Sequence, residues 1–173
     1  MTFGKNLLPA ASARHPTLSG LHDWWNGRRG ELGHVPNRTD FDPAARPRLL
    51  PIVWMLDVHP LTLRFRFRLV GTAICHALQR DPTGEWLDQS PSLSEAWVEA
   101  CGGYRDVVLT GEPSWRKGPP HFTHDPRFDL VETLSLPFAA EGREVDRLLN
   151  ASVFYRQHGA PLLCAPRCLG PMT

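Results

Sequence analysis

The chain has 173 residues and a formal charge of +1, with Lys and Arg nearly matched by Asp and Glu. That length supports one domain whose core needs no disulfide or metal, and the balanced charge argues against a nucleic-acid partner, which calls for a strongly basic face. Apolar content of 42% and charged content of 21% are ordinary for a globular protein, and no apolar run approaches the roughly 18 residues of a membrane span. The 17 prolines are about twice the usual share and favour short elements joined by turns.

The opening MTFGKNLLPAASARHP has Lys5 and the small residues Ala11-Ser12-Ala13, but its apolar centre is only Leu7-Leu8 before Pro9. This is too short for a secretory signal, so residues 1–16 are expected to form a flexible arm. The protein is expected to be cytoplasmic, with its four cysteines reduced. The domain proper is placed at residues 17–156, with a poorly ordered tail at 157–173.

From Thr17 to Gly30, Ser19 is placed to cap a helix whose Leu21, Trp24 and Trp25 share one side, and Gly30 or Gly33 to end it. A Pro-rich connector follows. Pro51 to Val58 reads as a buried strand, and Thr62 to Val70 alternates strictly. Leu63, Phe65, Phe67 and Leu69 face one way, and Arg64, Arg66 and Arg68 the other. The two are expected to pair as an antiparallel hairpin. A short helix runs from Thr72 to Arg80 with Ile74 and Leu78 on one side, and Asp81 to Gly84 make a turn.

The longest helix is expected from Leu93 to Leu109, capped by Ser92 or Ser94, with Trp97, Cys101, Tyr104 and Val108 at helical spacing. Gly102-Gly103 in its middle costs about 1 kcal/mol per Gly against Ala. The pair therefore implies a bend, or backbone brought close to something. Three strands complete the pattern: Pro113 to Phe122, Phe128 to Phe138, and Val145 to Tyr155, the last two joined by a turn at Glu141-Gly142-Arg143. The order predicts an α+β fold, a five-stranded antiparallel sheet covered by helices on one face, with an extra N-terminal helix.

This order resembles that of PAS domains, and the likeness extends to motifs. An aromatic-rich first helix is followed by a P-x-R-x-x-x-D-P connector at Pro36, Arg38, Asp42 and Pro43. A Leu50-Pro51 strand start, an Asp57-Val58 strand end, an R-x-V/L-G-T step from Arg68 to Thr72 and a D-x-T-G turn from Asp81 to Gly84 come next. LSLPFAAEGREVDRLL resembles the closing hairpin of the bacterial single-domain PAS proteins. The likeness covers roughly Leu21 to Tyr155; Arg80 and Cys75-His76 depart from it.

The resemblance implies a non-enzymatic sensory or regulatory module with a small-molecule cavity between sheet and helices. It also implies a homodimer or protein partner engaged through the outer sheet face and the N-terminal helix. No stretch is long enough for a kinase or DNA-binding element, so any signal is expected to pass to a partner. The cofactor is unknown. Haem-binding relatives use a His on the long helix, where this chain has none and offers only Cys101 as a thiolate. Flavin-binding relatives use an N-C-R-F-L-Q motif, which is missing, so haem and covalent flavin are not expected. The residues expected to line a ligand site are Trp54, Phe65, Phe67, Trp97, Cys101 and Tyr104, whose aromatic walls and polar tips suit a small, mostly apolar ligand. The same side chains would equally make a plain packed core, and the nearest rival reading is a ligand-free protein-interaction module on the same fold that acts through the sheet face or through Trp24 and Trp25.

Other candidates are weaker. Neighbouring helix residues point about 100° apart, so Cys75-His76 is not expected to form a reactive dyad; a small enzyme using Cys75 or Cys101 is the rival from another class. His121, His124 and Asp125 lie among prolines and read as exposed. Cys164 and Cys168 lack a partner pair and read as free thiols rather than zinc ligands. Asp57, Asp81, Glu85 and Asp88 sit at turns as capping groups, and Asp40 and Asp42 read as a salt-bridge cluster around Arg38.

Overall fold

The structure, a computed structural model, describes residues 14–90, 95–120, 128–156 and 161–162, with only the backbone of 95–102 and 162. Its elements are α1 (Pro16–Leu32), β1 (Val53–Val58), β2 (Phe65–Val70), α2 (Thr72–Leu78), α3 (Glu95–Thr110), β3 (Ser114–Gly118), β4 (Phe128–Ala140), β5 (Glu144–Arg156) and β6 (Pro161–Leu162). The strands form an antiparallel sheet in the order β2-β1-β5-β4-β3. The two residues of β6 extend it by pairing with Phe154 and Tyr155, inside the segment expected to be poorly ordered.

The centre of the sheet is the long β4–β5 hairpin. Its turn needs positive φ at Glu141 (59°) and Gly142 (68°), a geometry that favours glycine. A Cβ at Gly142 would also strike the His34 ring. From Val131 to Ala139 and from Leu148 to Phe154 every residue is buried, without the alternation of a half-exposed strand. Both faces of the hairpin must therefore be covered.

They are covered by different helices, which corrects the expectation of helices on one face. On the outer face, Leu18, Leu21 and Trp25 of α1 join one core with Met55, Leu134, Leu136, Phe138, Leu149 and Val153. Trp25 is wholly buried and its indole donates to the Pro137 carbonyl at 2.9 Å. On the inner face, α2 and α3 bring Ile74, Ala77, Tyr104 and Val107 against Trp54, Leu56, Leu148 and Phe154. The reason is in β4 and β5 themselves, whose apolar residues are too numerous for one face.

Three local expectations are also corrected. The α1 cap is His15 rather than Ser19: its ring accepts from the Thr17 amide, and Pro16 opens the helix where no N–H is required. In β2, Met55 faces Leu69 while Leu56 faces Phe67, so Arg68 is an extra residue in a β-bulge. The bulge breaks the alternation, and Leu69 is 45% exposed although Phe65 and Phe67 are buried. Gly103 has open space at its would-be Cβ among the described residues, and α3 runs through it as one helix, so no close backbone approach explains it. Gly33 ends α1 in the left-handed conformation, as one of the two expected alternatives. The proposed caps Ser92 and Ser94 lie outside the described residues.

Glu132 of β4 ties α1 to the outer face. Its side chain is fully buried, yet four donors converge on it. Oε1 accepts from the His15 backbone N–H (2.8 Å) and the Trp115 indole (3.0 Å). Oε2 accepts from the Tyr155 hydroxyl (2.7 Å) and pairs with Lys117 Nζ (3.1 Å). Burial alone would push this carboxyl up, but the four donors outweigh it and hold the pKa below its ordinary value. The same contact, after burial, raises that of Tyr155.

A depressed carboxylate stabilises the fold above its unfolded-state pKa, about 4.3, and that contribution is lost as pH falls through the lower folded value. Glu132→Gln is expected to cost on the order of 3 kcal/mol at pH 7 in urea unfolding, since a carboxamide cannot accept on both ends from the donors of His15, Trp115 and Tyr155 that converge on the buried carboxylate. It should also flatten the stability loss below about pH 4.3. An unchanged acid limb in the variant would contradict this account of how α1 is held.

Candidate ligand-binding site

Four of the six expected site residues come together on the inner face. The Trp54 ring lies 5.9 Å from that of Phe67 and 6.0 Å, edge-on, from that of Tyr104, and Tyr104 lies 5.7 Å from Phe65. Trp54 comes from β1, Phe65 and Phe67 from β2, and Tyr104 from α3, so the aromatic wall joins the sheet to the long helix. Trp97 and Cys101 belong to α3, but their side chains lie outside the described residues.

Sequence reasoning missed the polar half of this surface. Leu134, Leu136, Leu149 and Ala151 belong to the outer core, so the alternate residues Thr133, Ser135, Asn150 and Ser152 point inward. All four are buried. The pairing aligns Ser114, Ser135, Asn150 and Trp54 in one row across β3, β4, β5 and β1. Arg116, Thr133 and Ser152 form the next row. The Trp54 indole donates to Ser152 Oγ at 3.0 Å, and Ser152 shares a hydrogen bond with Thr133 at 2.8 Å. Ser135 Oγ donates to Asn150 Oδ1 at 2.6 Å.

Asn150 Nδ2 is different. It is the one buried side-chain nitrogen or oxygen among the described residues that has no hydrogen-bond partner. Leaving such a donor unpaired costs about 1–3 kcal/mol, so an amide kept in this position at the sheet centre calls for an acceptor. The signal in the sequence was present: ETLSL and LNASV each place polar residues two apart within apolar strands.

The other candidates take structural roles. The Cys75 thiol donates to the Val70 carbonyl at 3.8 Å, and burial, then the nearby Asp81 charge, pushes its pKa up, away from a reactive thiolate. Arg64 pairs with Asp88 through two hydrogen bonds (2.8 and 2.9 Å) and covers the Trp86 ring; Arg66 donates to the Gly84 carbonyl. Arg64, just before β2, and Arg66 within it thus bind the 81–88 segment to the sheet edge. Asp81 accepts from the Thr83 backbone and hydroxyl as a turn cap, while Asp57 instead bonds Arg147 across β1 and β5, and Glu85 pairs with Arg80. Asp40 pairs with Arg28 of α1 and not Arg38, because a capping box with Asn37 turns it that way; Asp42 caps Ala44. His121, His124, Asp125, Cys164 and Cys168 lie outside the described residues, among which no group of three potential metal ligands occurs.

The raised pKa of Cys75 predicts slow alkylation. At pH 7, peptide-resolved mass spectrometry should show iodoacetamide labelling Cys75 more slowly than it labels free cysteine; faster labelling would restore Cys75 as a reactive centre.

Comparison with known proteins agrees with this architecture. Residues 13–97 match the family described as PAS domain, a span just short of half the 173-residue chain. The match takes in α1, β1, β2 and α2 and ends within α3. No curated protein matches the chain. The strands after the matched span, β3, β4 and β5, complete the antiparallel sheet that β1 and β2 of the span begin. Residues 13–97 are thus similar to a PAS domain, and the antiparallel sheet and helices of the structure are consistent with a PAS-type fold.

Proposed function

We propose that this PAS-type sensory or regulatory module binds a small ligand between the inner sheet face and α3, and signals through a homodimer or a protein partner. The observation that carries the ligand is the buried polar cluster Thr133, Ser135, Asn150 and Ser152, with one amide nitrogen unpaired, beside the aromatic wall of Trp54, Phe65, Phe67 and Tyr104. A plain packed core would gain stability from apolar residues at these positions, because each buried polar group must be compensated. A site that orients a ligand needs a few polar groups in an apolar wall.

The proposed role is binding rather than catalysis. Cys75, the described cysteine considered for chemistry, is held as a protonated thiol. Signalling through the outer sheet face would have to involve the exposed side of α1, since α1 covers that face and buries Trp25. Among the described residues no helix is long and apolar enough to cross a membrane.

Native mass spectrometry of the purified protein, compared with its denatured mass, tests the reading. The expected result is extra mass that is lost on denaturation. A bare polypeptide mass, unchanged after incubation with cell-extract metabolites, would contradict it.

A further inference from the structure

The hydrogen bonds on the inner face restrict what a ligand there can be. This step rests on the proposed ligand reading and concerns its chemistry. Ser135 occupies Asn150 Oδ1, so the unpaired end of the carboxamide is its buried NH2, a donor. Ser152 Oγ receives the Trp54 indole and is joined to Thr133. The cluster therefore offers a fixed donor at Asn150, held by Ser135 from the neighbouring strand.

Charge is the second restriction. The cluster contains no ionisable side chain. Among the described residues Arg116 stands beside Thr133 in the next row, and its Nη2 donates to the Pro119 carbonyl (2.8 Å) just past β3. A carboxylate seated at Asn150 would be desolvated without an ion-pair partner, which is costly. The third restriction is shape: Trp54 is next to Asn150 in the same row, and its ring is one wall of the aromatic cluster.

We infer that the inner face takes a small, flat, uncharged ligand with a carbonyl-type acceptor oxygen, which receives a hydrogen bond from Asn150 Nδ2 while the apolar body lies against Trp54. Ser135 is a positioning residue, fixing which end of the carboxamide faces the ligand.

Two probes of nearly equal shape test this: acetophenone, which carries the acceptor, and α-methylstyrene, in which a methylene replaces the oxygen. Affinities for both are measured by tryptophan fluorescence titration on the full chain and on Asn150→Leu, which keeps the branched shape and removes the donor. The ratio of acetophenone to α-methylstyrene affinity is expected to fall about tenfold in the variant, the effect of one buried hydrogen bond. Ser135→Ala, a milder change that serves if Asn150→Leu does not fold, should lower the ratio in the same direction but less.

If both probes bind and the ratio is unchanged in the variants, the acceptor inference is overturned while ligand binding stands. If the ratio rises, the unpaired end of Asn150 is an acceptor and the inference is likewise overturned. If neither probe binds the wild-type chain, the inner face is a packed core, and the inference falls with the reading beneath it.

Discussion

Burial of the β4–β5 hairpin on both faces is the constraint on which the rest of the structure depends. Once a pair of strands is closed off from water on each side, every polar side chain along it must find a partner within the protein or in something bound. The hairpin carries such groups on both faces, and they are treated in opposite ways. On the outer face Glu132 receives four donors, from two strands and the start of α1. On the inner face Asn150, one strand away, keeps an unpaired amide.

The contrast separates structure from function. A fully satisfied buried carboxylate fixes α1 on the sheet and specifies where the helix begins, because one of its donors is the backbone of the α1 cap residue. An unsatisfied amide contributes no such specification and has a cost. It is understandable if the compensating acceptor arrives from outside the chain, as in a sensor whose stability rises when its ligand binds. Glu132 and Thr133 are adjacent in β4 and point to opposite faces, so any shift of β4 on ligand binding would be felt directly at the α1 anchor.

Much of the fold was legible in the sequence, and for physical reasons. Strict alternation marked β2, turn residues marked Asp81–Gly84 and Glu141–Gly142, and the element order carried the PAS resemblance. The bulge at Arg68 was not legible, because a register change depends on the partner strand. The placement of α1 opposite α2 and α3 was not read either, although the unbroken apolar runs of β4 and β5 already required two covers. In the site, large aromatics announced themselves, while Thr133, Ser135, Asn150 and Ser152 did not, since small polar residues in strands usually face water. Only the knowledge that both faces are buried turns them into a cluster that demands partners. Arg28 for Asp40 is a similar case, a pairing set by where α1 packs rather than by nearness in sequence.

The most direct test of the central claim is a high-resolution crystal structure of the protein as purified, read at the Asn150 carboxamide. The account predicts non-protein density larger than a water molecule, within hydrogen-bonding distance of Nδ2 and lying against Trp54. An inner face filled by protein side chains, with Nδ2 bonded to one of them, would contradict it.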